Sequence, residues 1–374
     1  MKRKIVITGG HLTPALAVIE ELIRRGNWEV FFFGRRYASE EEKTPSMEFE
    51  IITEKGLWFI PIDAGRVQRK FTLRTVPSLL KIPLGFFQSL WHLLKVRPQV
   101  ILSFSGYLSV PVVLAGWFLR IPAVTHEQAS VRGLANKVNS LFVKKAAVSW
   151  PQTVGQFPKN KTVLTGNPIR RAIFQVDEEI WRVLKFPKQL PLIFVTGGNQ
   201  GSHLINRTVE EILPELIAKA NVFHQSGHLQ ARGDFERLEE RREGLPEKFK
   251  GRYHVKKYLN NEEMGTLLNK TDLVISRAGA NILTEVAALG KPALFIPFPW
   301  LHQDEQTKNA QILAAVGLAE ILPQEKLSSR ALLQLVEKIL ANLNQYKKNA
   351  PKGKKLVKLD AAKRIVDLVE EQAQ

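Results

Sequence analysis

The sequence predicts an α/β protein built from two doubly wound parallel sheets. Three observations carry that expectation. The chain has 374 residues, more than one ordinary domain at about 150 residues each. Short β-branched or aromatic runs alternate with helical patterns of about ten to fifteen residues, the pattern of a parallel sheet covered on both faces. A glycine turn follows the first strand candidate of each half. Apolar residues at 44% and charged residues at 24% supply a core for each half.

In the first half the strand candidates are Lys4–Thr8, Glu29–Gly34, Trp58–Ile62, Gln99–Ser103, Ala123–His126, Ala146–Trp150 and Thr162–Thr165. In the second they are Leu192–Thr196, Val222–Gln225, Tyr253–Lys256, Leu273–Ser276, Ala293–Pro297 and Ala319–Leu322. The join is expected between Gly166 and Pro191, where the helix-like stretch Asp177–Lys185 precedes Phe-Pro-Lys-Gln-Leu-Pro. The expected division is therefore 1–165, 166–345, and a basic linker with a last helix over 346–374. That helix, Ala361–Glu371, fits on either domain, and Lys347–Lys358 reads as solvated linker.

Cysteine is absent, which removes disulfides, thiol nucleophiles and cysteine metal sites together. The N-terminal apolar run is too short for a signal peptide. No window reaches the roughly 18 apolar residues of a membrane span. The longest candidate, Tyr107–Val124, is broken by Pro111, Gly116, Arg120 and Pro122. The net charge of +18 calls for an anionic partner. From Arg66 to Arg97 basic residues mix with Leu, Ile, Phe and Trp and no acid occurs. This is either a membrane-surface patch anchored by Leu79, Leu84, Phe86, Phe87 and Trp91, or a crossover segment whose apolar face is core. The prolines in it argue against a single long helix. No recognised nucleic-acid-binding motif occurs, so nucleic acid is not an expected partner.

Ligands of open α/β sheets bind beyond the carboxyl ends of the strands, and the motifs fall there. Thr8-Gly9-Gly10-His11 follows the first strand and leads into a helix with Pro14 near its start. Thr196-Gly197-Gly198-Asn199-Gln200-Gly201-Ser202 does the same in the second half. Glycines there let a phosphate approach the backbone, and the helix N-terminus offers unpaired N–H groups to it. A βα turn also uses glycine simply to turn, so each loop alone is weak. Neither matches GxGxxG or GxxxxGK[ST]. A third stretch runs from Asp272 to Pro299, where Ser276 ends a strand, Arg277 and Gly279 form a loop, and a helix then carries Glu285. A carboxylate so placed accepts both hydroxyls of a ribose, whereas an isolated glutamate would be solvated. Beyond the next strand, Asp304, Glu305, Gln306 and Asn309 offer polar groups to a sugar, or cap a helix with Asp304 at the N-cap.

These stretches together resemble the MurG family of glycosyltransferases, glycosyltransferase family 28. The resemblance runs from residue 4 to about 345 and rests on Thr8–Val18, Ser105–Pro111, His126–Lys137, Thr165–Arg170, Gly197–Ser202, Phe223–Gly227, Ser276–Glu285 and Pro297–Ala310, in that order. It implies a GT-B fold, two Rossmann-like domains facing across a cleft. It further implies an inverting transfer of N-acetylglucosamine from UDP-GlcNAc to the C4 hydroxyl of a lipid-linked muramyl peptide, a step of peptidoglycan synthesis. The acceptor, a polyprenyl-diphosphate-linked sugar, would lie on the N-terminal domain and the donor on the C-terminal one. By the same resemblance the enzyme would be peripheral, on an anionic membrane surface at the cytoplasmic face, and would serve cell shape and division.

Carried over position by position, Glu285 would hold the ribose, and Gly279 with Ala280 would lie beside the phosphates. Gln306 would read the sugar with Glu305 next to it, Asn199 would lie on the second glycine loop, and Arg170 at the interdomain hinge. Gly9, Gly10, Tyr107, His126 and Glu127 would face the acceptor. His11 is the candidate general base or a phosphate contact. No Asp-x-Asp occurs, so neither a metal nor another cofactor is expected, and backbone dipoles with Arg or Lys would stabilise the leaving UDP. The chain departs from the family pattern in a shortened first glycine loop, in Ala129 and Asn199, and in Ile282. A related transferase with another lipid or glycan acceptor, a UDP-GlcNAc 2-epimerase and a non-catalytic nucleotide-sugar binder are the competing readings. Free UDP-N-acetylmannosamine would mark the epimerase, and UDP binding without turnover the binder.

Overall fold

The computed structural model describes residues 2–37, 44–65, 75–228, 232–300 and 302–373; the side chains at 75–82 and 302 fall outside that description. The start of the basic apolar stretch, Arg66–Arg74, and the Leu79 side chain therefore lie outside the described residues. The chain divides into two compact units, Met1–Ile169 with Lys358–Gln374, and Arg170–Val357.

The first unit holds β1 (Arg3–Gly9), β2 (Trp28–Gly34), β3 (Trp58–Pro61), β4 (Val100–Phe104), β5 (Ala123–Glu127), β6 (Lys145–Val148) and β7 (Thr162–Leu164). They form one sheet in the order β3-β2-β1-β4-β5-β6-β7, and the pairings are parallel. The second unit holds β8 (Leu192–Thr196), β9 (Asn221–Gln225), β10 (Tyr253–Lys256), β11 (Leu273–Ser276), β12 (Ala293–Phe295) and β13 (Ala319–Ile321). Their order, β10-β9-β8-β11-β12-β13, repeats the first. Each strand expected from sequence is present, with ends shifted by a residue or two. The central strands β4, β5, β8 and β9 are buried at every position. Burial on both faces makes β4 and β8 nearly continuous apolar runs, which is why these were legible, whereas β5 and β9 end in buried polar residues.

Helices cover both faces of each sheet. In the first unit Ile5, Ile7, Val30 and Leu102 pack with Ile19 and Leu22 of the helix Leu12–Arg25. The C-terminal helix Ala361–Gln372 joins the same core through Ile365, Val366 and Val369. Arg25 ties the two helices, with Nη1 2.6 Å from Glu370 and Nη2 2.5 Å from Asp367. In the second unit Ile193, Val195, Leu273 and Ile275 meet Ile205, Val209, Leu332 and Val336.

Two expectations are corrected. A single helix, Thr75–Val96, occupies most of the basic apolar stretch despite its prolines. Pro77 falls in the first turn, where no intrahelical N–H bond is lost, and only Pro83 is interior. The run expected as a solvated linker folds into the short helices Leu343–Lys348 and Ala350–Lys355 within the second unit. Its lysines stay exposed while Tyr346 and Gly353 are buried, and Lys347 Nζ pairs with Asp272 at 2.7 Å.

The placement of the last helix carries a stability prediction. Ile365→Ala removes a fully buried side chain from the first unit's core and should cost about 2–5 kcal/mol. Urea unfolding of the full chain, followed by fluorescence of the tryptophans, measures it; a loss under about 0.5 kcal/mol would mean that the helix is not a core element.

Candidate functional site

The strand orders fix where a ligand can enter. In the first sheet the chain reverses direction between β1 and β4, and in the second between β8 and β11. Loops leaving such neighbouring strands diverge to opposite faces and leave a crevice between them. Both glycine turns stand at these two points.

In the first unit the loops after β1 and β4 touch backbone to backbone. Gly10 N–H donates to Ser105 O at 2.9 Å. A Cβ on Gly9, whose φ is +134°, would stand 2.6 Å from the Phe104 carbonyl carbon, and one on Gly106, φ +80°, 2.6 Å from Gly10 N. Only glycine fits either position. Ser105 between them is held at φ +54°, a left-handed conformation that a non-glycine residue adopts at a cost of about 1 kcal/mol or more. Tyr107 on the same loop lies in hydrogen-bonding contact with Arg35.

His11 is the N-cap residue of the helix Leu12–Arg25 but makes no capping bond with its side chain. Gln128 Nε2–H donates to its Nδ1 at 2.9 Å, so a neutral ring carries its proton on Nε2. Burial pushes this imidazole down to about 4, so it is neutral at pH 7. Gly10 is exposed beside it.

His126 and Glu127, expected on the acceptor side, are buried and turned inward. His126 Nε2 lies 3.3 Å from Gly166 O and 3.2 Å from Ser149 Oγ, and burial pushes the ring down to about 3. Glu127 accepts from Gly133 N–H at 2.9 Å, Asn136 Nδ2 at 3.0 Å and Ala129 N–H at 3.2 Å. Burial nevertheless holds its carboxyl above the ordinary range. The pair thus shapes the loop 128–133, which carries Gln128 to His11. Ala129, buried, sits inside this arrangement.

In the second unit a cavity of about 620 Å³ opens at the β8/β11 switch. Its floor is the turn Gly197, Gly198, Gly201 and Ser202, which leads into the helix His203–Glu211. Gly201 is pressed against the loop after β9, where its Cβ would come within 2.1 Å of Ser226 O. Arg277 holds the far wall: its Nη2 donates to Ser202 Oγ at 2.9 Å, and its Nη1 to Ile296 O at 3.0 Å and Pro297 O at 3.3 Å. Burial pushes that guanidinium down to about 10, so it remains a cation at pH 7. Gly279, Ile282, Phe298, Trp300 and Gln306 complete the lining. Gln306 Oε1 accepts from Phe298 N–H at 2.9 Å. Asn309 Nδ2 fixes the β11 loop through Ala278 O at 3.2 Å. Asp304 stands at the N-cap of Glu305–Ala314 as expected, but in a left-handed conformation and without a capping bond.

The helix Ala280–Leu289 starts at this cavity, with Gly279 as its N-cap and Ala280 buried at its first position. Glu285, on its second turn, is not solvated: it is buried, and its Oε1 accepts from Arg170 Nη2 at 2.6 Å and Nε at 3.2 Å. Arg170 Nη1 donates to Asn261 Oδ1 at 2.8 Å. Glu285 Oε2 has no partner among the described residues.

Of the residues expected at the donor site, Gly279 and Gln306 line the cavity; Arg170, Ala280, Glu285 and Glu305 are not among its lining residues, and Asn199 is exposed on the turn. Its carbonyl accepts from His228 N–H at 3.0 Å. Sequence reading missed His203, Arg232 and Asp234, which line the cavity together with Ser202 of the expected glycine turn. The one available signal was that both glycine turns lead into a helix through a histidine, His11 and His203. Among the described residues no group of three acids or histidines is placed to hold a metal ion.

The first unit matches the glycosyltransferase family 28 N-terminal domain over residues 7–148, and residues 192–365 match that family's C-terminal domain. A Bacillus cereus protein, UDP-N-acetylglucosamine–N-acetylmuramyl-(pentapeptide) pyrophosphoryl-undecaprenol N-acetylglucosamine transferase 2, is 32% identical over 364 residues, 95% of this chain and 97% of its own. The crystal structure of Acinetobacter baumannii MurG superposes with a TM-score of 0.72 at 25% identity, covering 99% of this chain and all of that one. A UDP-GlcNAc 2-epimerase from Neisseria meningitidis gives a TM-score of 0.65 over 99% of this chain and 100% of that one; at 14% identity this likeness is one of fold alone. Two matched domains in order, full-length identity and the same two-sheet architecture lead to one conclusion: the chain belongs to glycosyltransferase family 28.

Proposed function

We propose that this chain transfers N-acetylglucosamine from UDP-GlcNAc to the C4 hydroxyl of a lipid-linked muramyl peptide, with inversion at the anomeric carbon. The observation that carries the reading is the second unit's cavity, lined by a glycine turn, a helix N-terminus and Arg277, with the buried Glu285 on the helix that starts there, its Oε2 without a partner among the described residues. In this reading the diphosphate lies against Gly197–Ser202 and Gly279–Ala280, and the ribose hydroxyls bond Glu285 Oε2. Arg170 aims Glu285 by occupying Oε1. Gln306 and Glu305 meet the sugar, and Asn199 lies at the turn's outer edge. As the acceptor oxygen bonds to the anomeric carbon, the bond to the β-phosphate breaks and its electron pair leaves with UDP. Fixed backbone N–H groups and the Arg277 cation offset that developing charge.

The acceptor is assigned to the first unit, at Gly9, Gly10, Tyr107 and His11, with His126 and Glu127 acting through the shape of the loop that carries Gln128. With its proton on Nε2, the neutral His11 ring donates to an acceptor oxygen. Serving as base requires the other tautomer, reached when the Gln128 amide turns so that its oxygen accepts from Nδ1–H.

The outer surface of the same unit supports a proposed membrane attachment. Phe87, Trp91 and Leu94 of the helix Thr75–Val96 are exposed, as are Trp117 and Phe118 at the end of Ser109–Phe118. Leu134, Val138 and Leu141 form a further exposed stripe along Leu134–Phe142. Lys95, Arg97, Arg120, Lys137 and Lys144 are exposed on the same elements or at their ends. Large apolar side chains interleaved with cations suit an anionic headgroup layer. Phe86, expected in that anchor, is half-buried and packs on the core instead. Among the described residues no helix is long and apolar enough to cross a membrane, so the proposed attachment is peripheral.

Three outcomes test this reading. Glu285→Gln should lower the affinity for UDP and for UDP-GlcNAc alike by about ten- to a hundredfold in calorimetry, since charge-assisted bonds contribute roughly 1.5–3 kcal/mol each. A 2′-deoxy-UDP probe, which keeps only one of the two hydroxyls, should then show a smaller difference between parent and variant than UDP does; unchanged UDP affinity in the variant would remove Glu285 from the site. His11→Ala should reduce turnover by about a hundredfold while leaving UDP affinity intact, as an acceptor-side group requires; equal loss of both would place it elsewhere. Replacing Phe87 and Trp91 together by Ser should weaken sedimentation with phosphatidylglycerol vesicles without shifting the thermal midpoint; retained binding would exclude these side chains as anchors.

A further inference from the structure

His203 and Asp234 form a pair on the wall of the second unit's cavity that the transferase reading has left without a role. His203 is the first residue of the helix His203–Glu211, directly after the glycine turn, and its side chain is 29% exposed. Its Nδ1 lies 2.6 Å from Asp234 Oδ1. Asp234 is itself buried and anchored, for Asn206 Nδ2 donates to its Oδ2 at 2.9 Å and Arg237 Nη2 to its Oδ1 at 2.8 Å. Burial alone would raise this carboxyl, but the bonds from Asn206, His203 and Arg237 hold it below the ordinary range, so it is an anion at pH 7. Asn206 also donates to Ser226 O at 3.0 Å, which fixes the assembly to the β9 loop that Gly201 touches. Nε2 of His203 is left without a protein partner among the described residues, on a ring that lines the cavity together with Arg232 and Arg277.

We propose that His203 is a further binding residue for the diphosphate of the nucleotide sugar, with Asp234 as its positioning residue; this rests on the donor-site reading given above. Phosphate oxygens accept hydrogen bonds and cannot donate them once ionised, so a phosphate at Nε2 requires N–H there. Asp234 requires N–H at Nδ1. A ring bonded to an anion at each nitrogen carries both protons, and His203 therefore meets the diphosphate as an imidazolium. This is the reverse of His11, whose Nδ1 accepts from an amide and whose ring stays neutral. One glycine turn thus ends in an uncharged imidazole and the other in one braced for an anion. As the bond between the anomeric carbon and the β-phosphate oxygen breaks, the electron pair stays on the phosphate. The Nε2–H bond stabilises that charge without any proton having to transfer.

Calorimetry of the full chain with three probes, UDP, UMP and uridine, tests the proposal. His203→Ala should weaken UDP by about tenfold, UMP by less, and uridine not at all. Asp234→Asn, which keeps the size and can still bond Nδ1, should reproduce part of the UDP loss, and His203→Lys, which restores a cation, should recover part of it. Unchanged UDP affinity in His203→Ala would overturn the proposal. An equal loss for UDP and uridine with a lowered thermal midpoint would do so too, since the pair would then only brace the fold. A parent chain that binds uridine but gains nothing from the phosphates would remove His203 from the diphosphate and leave the Glu285 contact standing. A parent that binds none of the probes would remove the donor-site reading and this proposal with it.

Discussion

Everything at the two switch points depends on backbone meeting backbone where neighbouring strands end. Gly10 touches Gly106 across the β1/β4 switch of the first unit, and in the second Gly201 touches Gly227 of the loop after β9, on the other side of β8 from β11, at distances no side chain would permit. The close approach brings the starts of the following helices to the sheet edge, with their free N–H groups facing outward. It also explains why the polar residues behind the loops are buried. Thr125 bonds Ser103 and Asn136 in one unit, and in the other His224 bonds Asn206 and Thr196 bonds Gln225, beneath the turns. Buried polar groups need such partners, and the resulting networks hold each turn in one shape.

The same construction is put to different electrostatic use in the two units. Around His11 the nearest partner is an amide and the ring is desolvated, which suits a group that must approach a hydroxyl without charge. Around Gly197–Ser202 the cations Arg277 and Arg232 gather with a histidine backed by a carboxylate, which suits an anionic ligand. Glu285 lies beyond them with Arg170 as counter-ion. A carboxylate buried without such a partner would destabilise the unit, so Arg170 is a condition for holding Glu285 there.

Much of this was legible from sequence, for identifiable reasons. Strands such as β4 and β8, buried on both faces, read as nearly continuous apolar runs, and glycine turns mark the ends of β1 and β8. The helix Thr75–Val96 was obscured by prolines whose cost depends on position within a turn, and Lys347–Lys358 by lysines that are exposed on short packed helices. His126 and Glu127 were expected to face the acceptor because their stretch resembles the family's; here both are buried and bond inward beneath the loop 128–133. Asp234 was out of reach, since it meets His203 across 31 residues of chain and a different strand. Periodicity carries no record of such a pairing.

The central claim is that a nucleoside diphosphate sugar sits in the second unit, with its phosphates on the glycine turn and its ribose on Glu285. The most direct measurement is a crystal structure of the full chain soaked with UDP. The account predicts phosphate density against Gly197–Ser202 and Arg277, with a ribose hydroxyl within hydrogen-bond distance of Glu285 Oε2. UDP bound elsewhere, or bound there with the ribose turned away from Glu285, would contradict it.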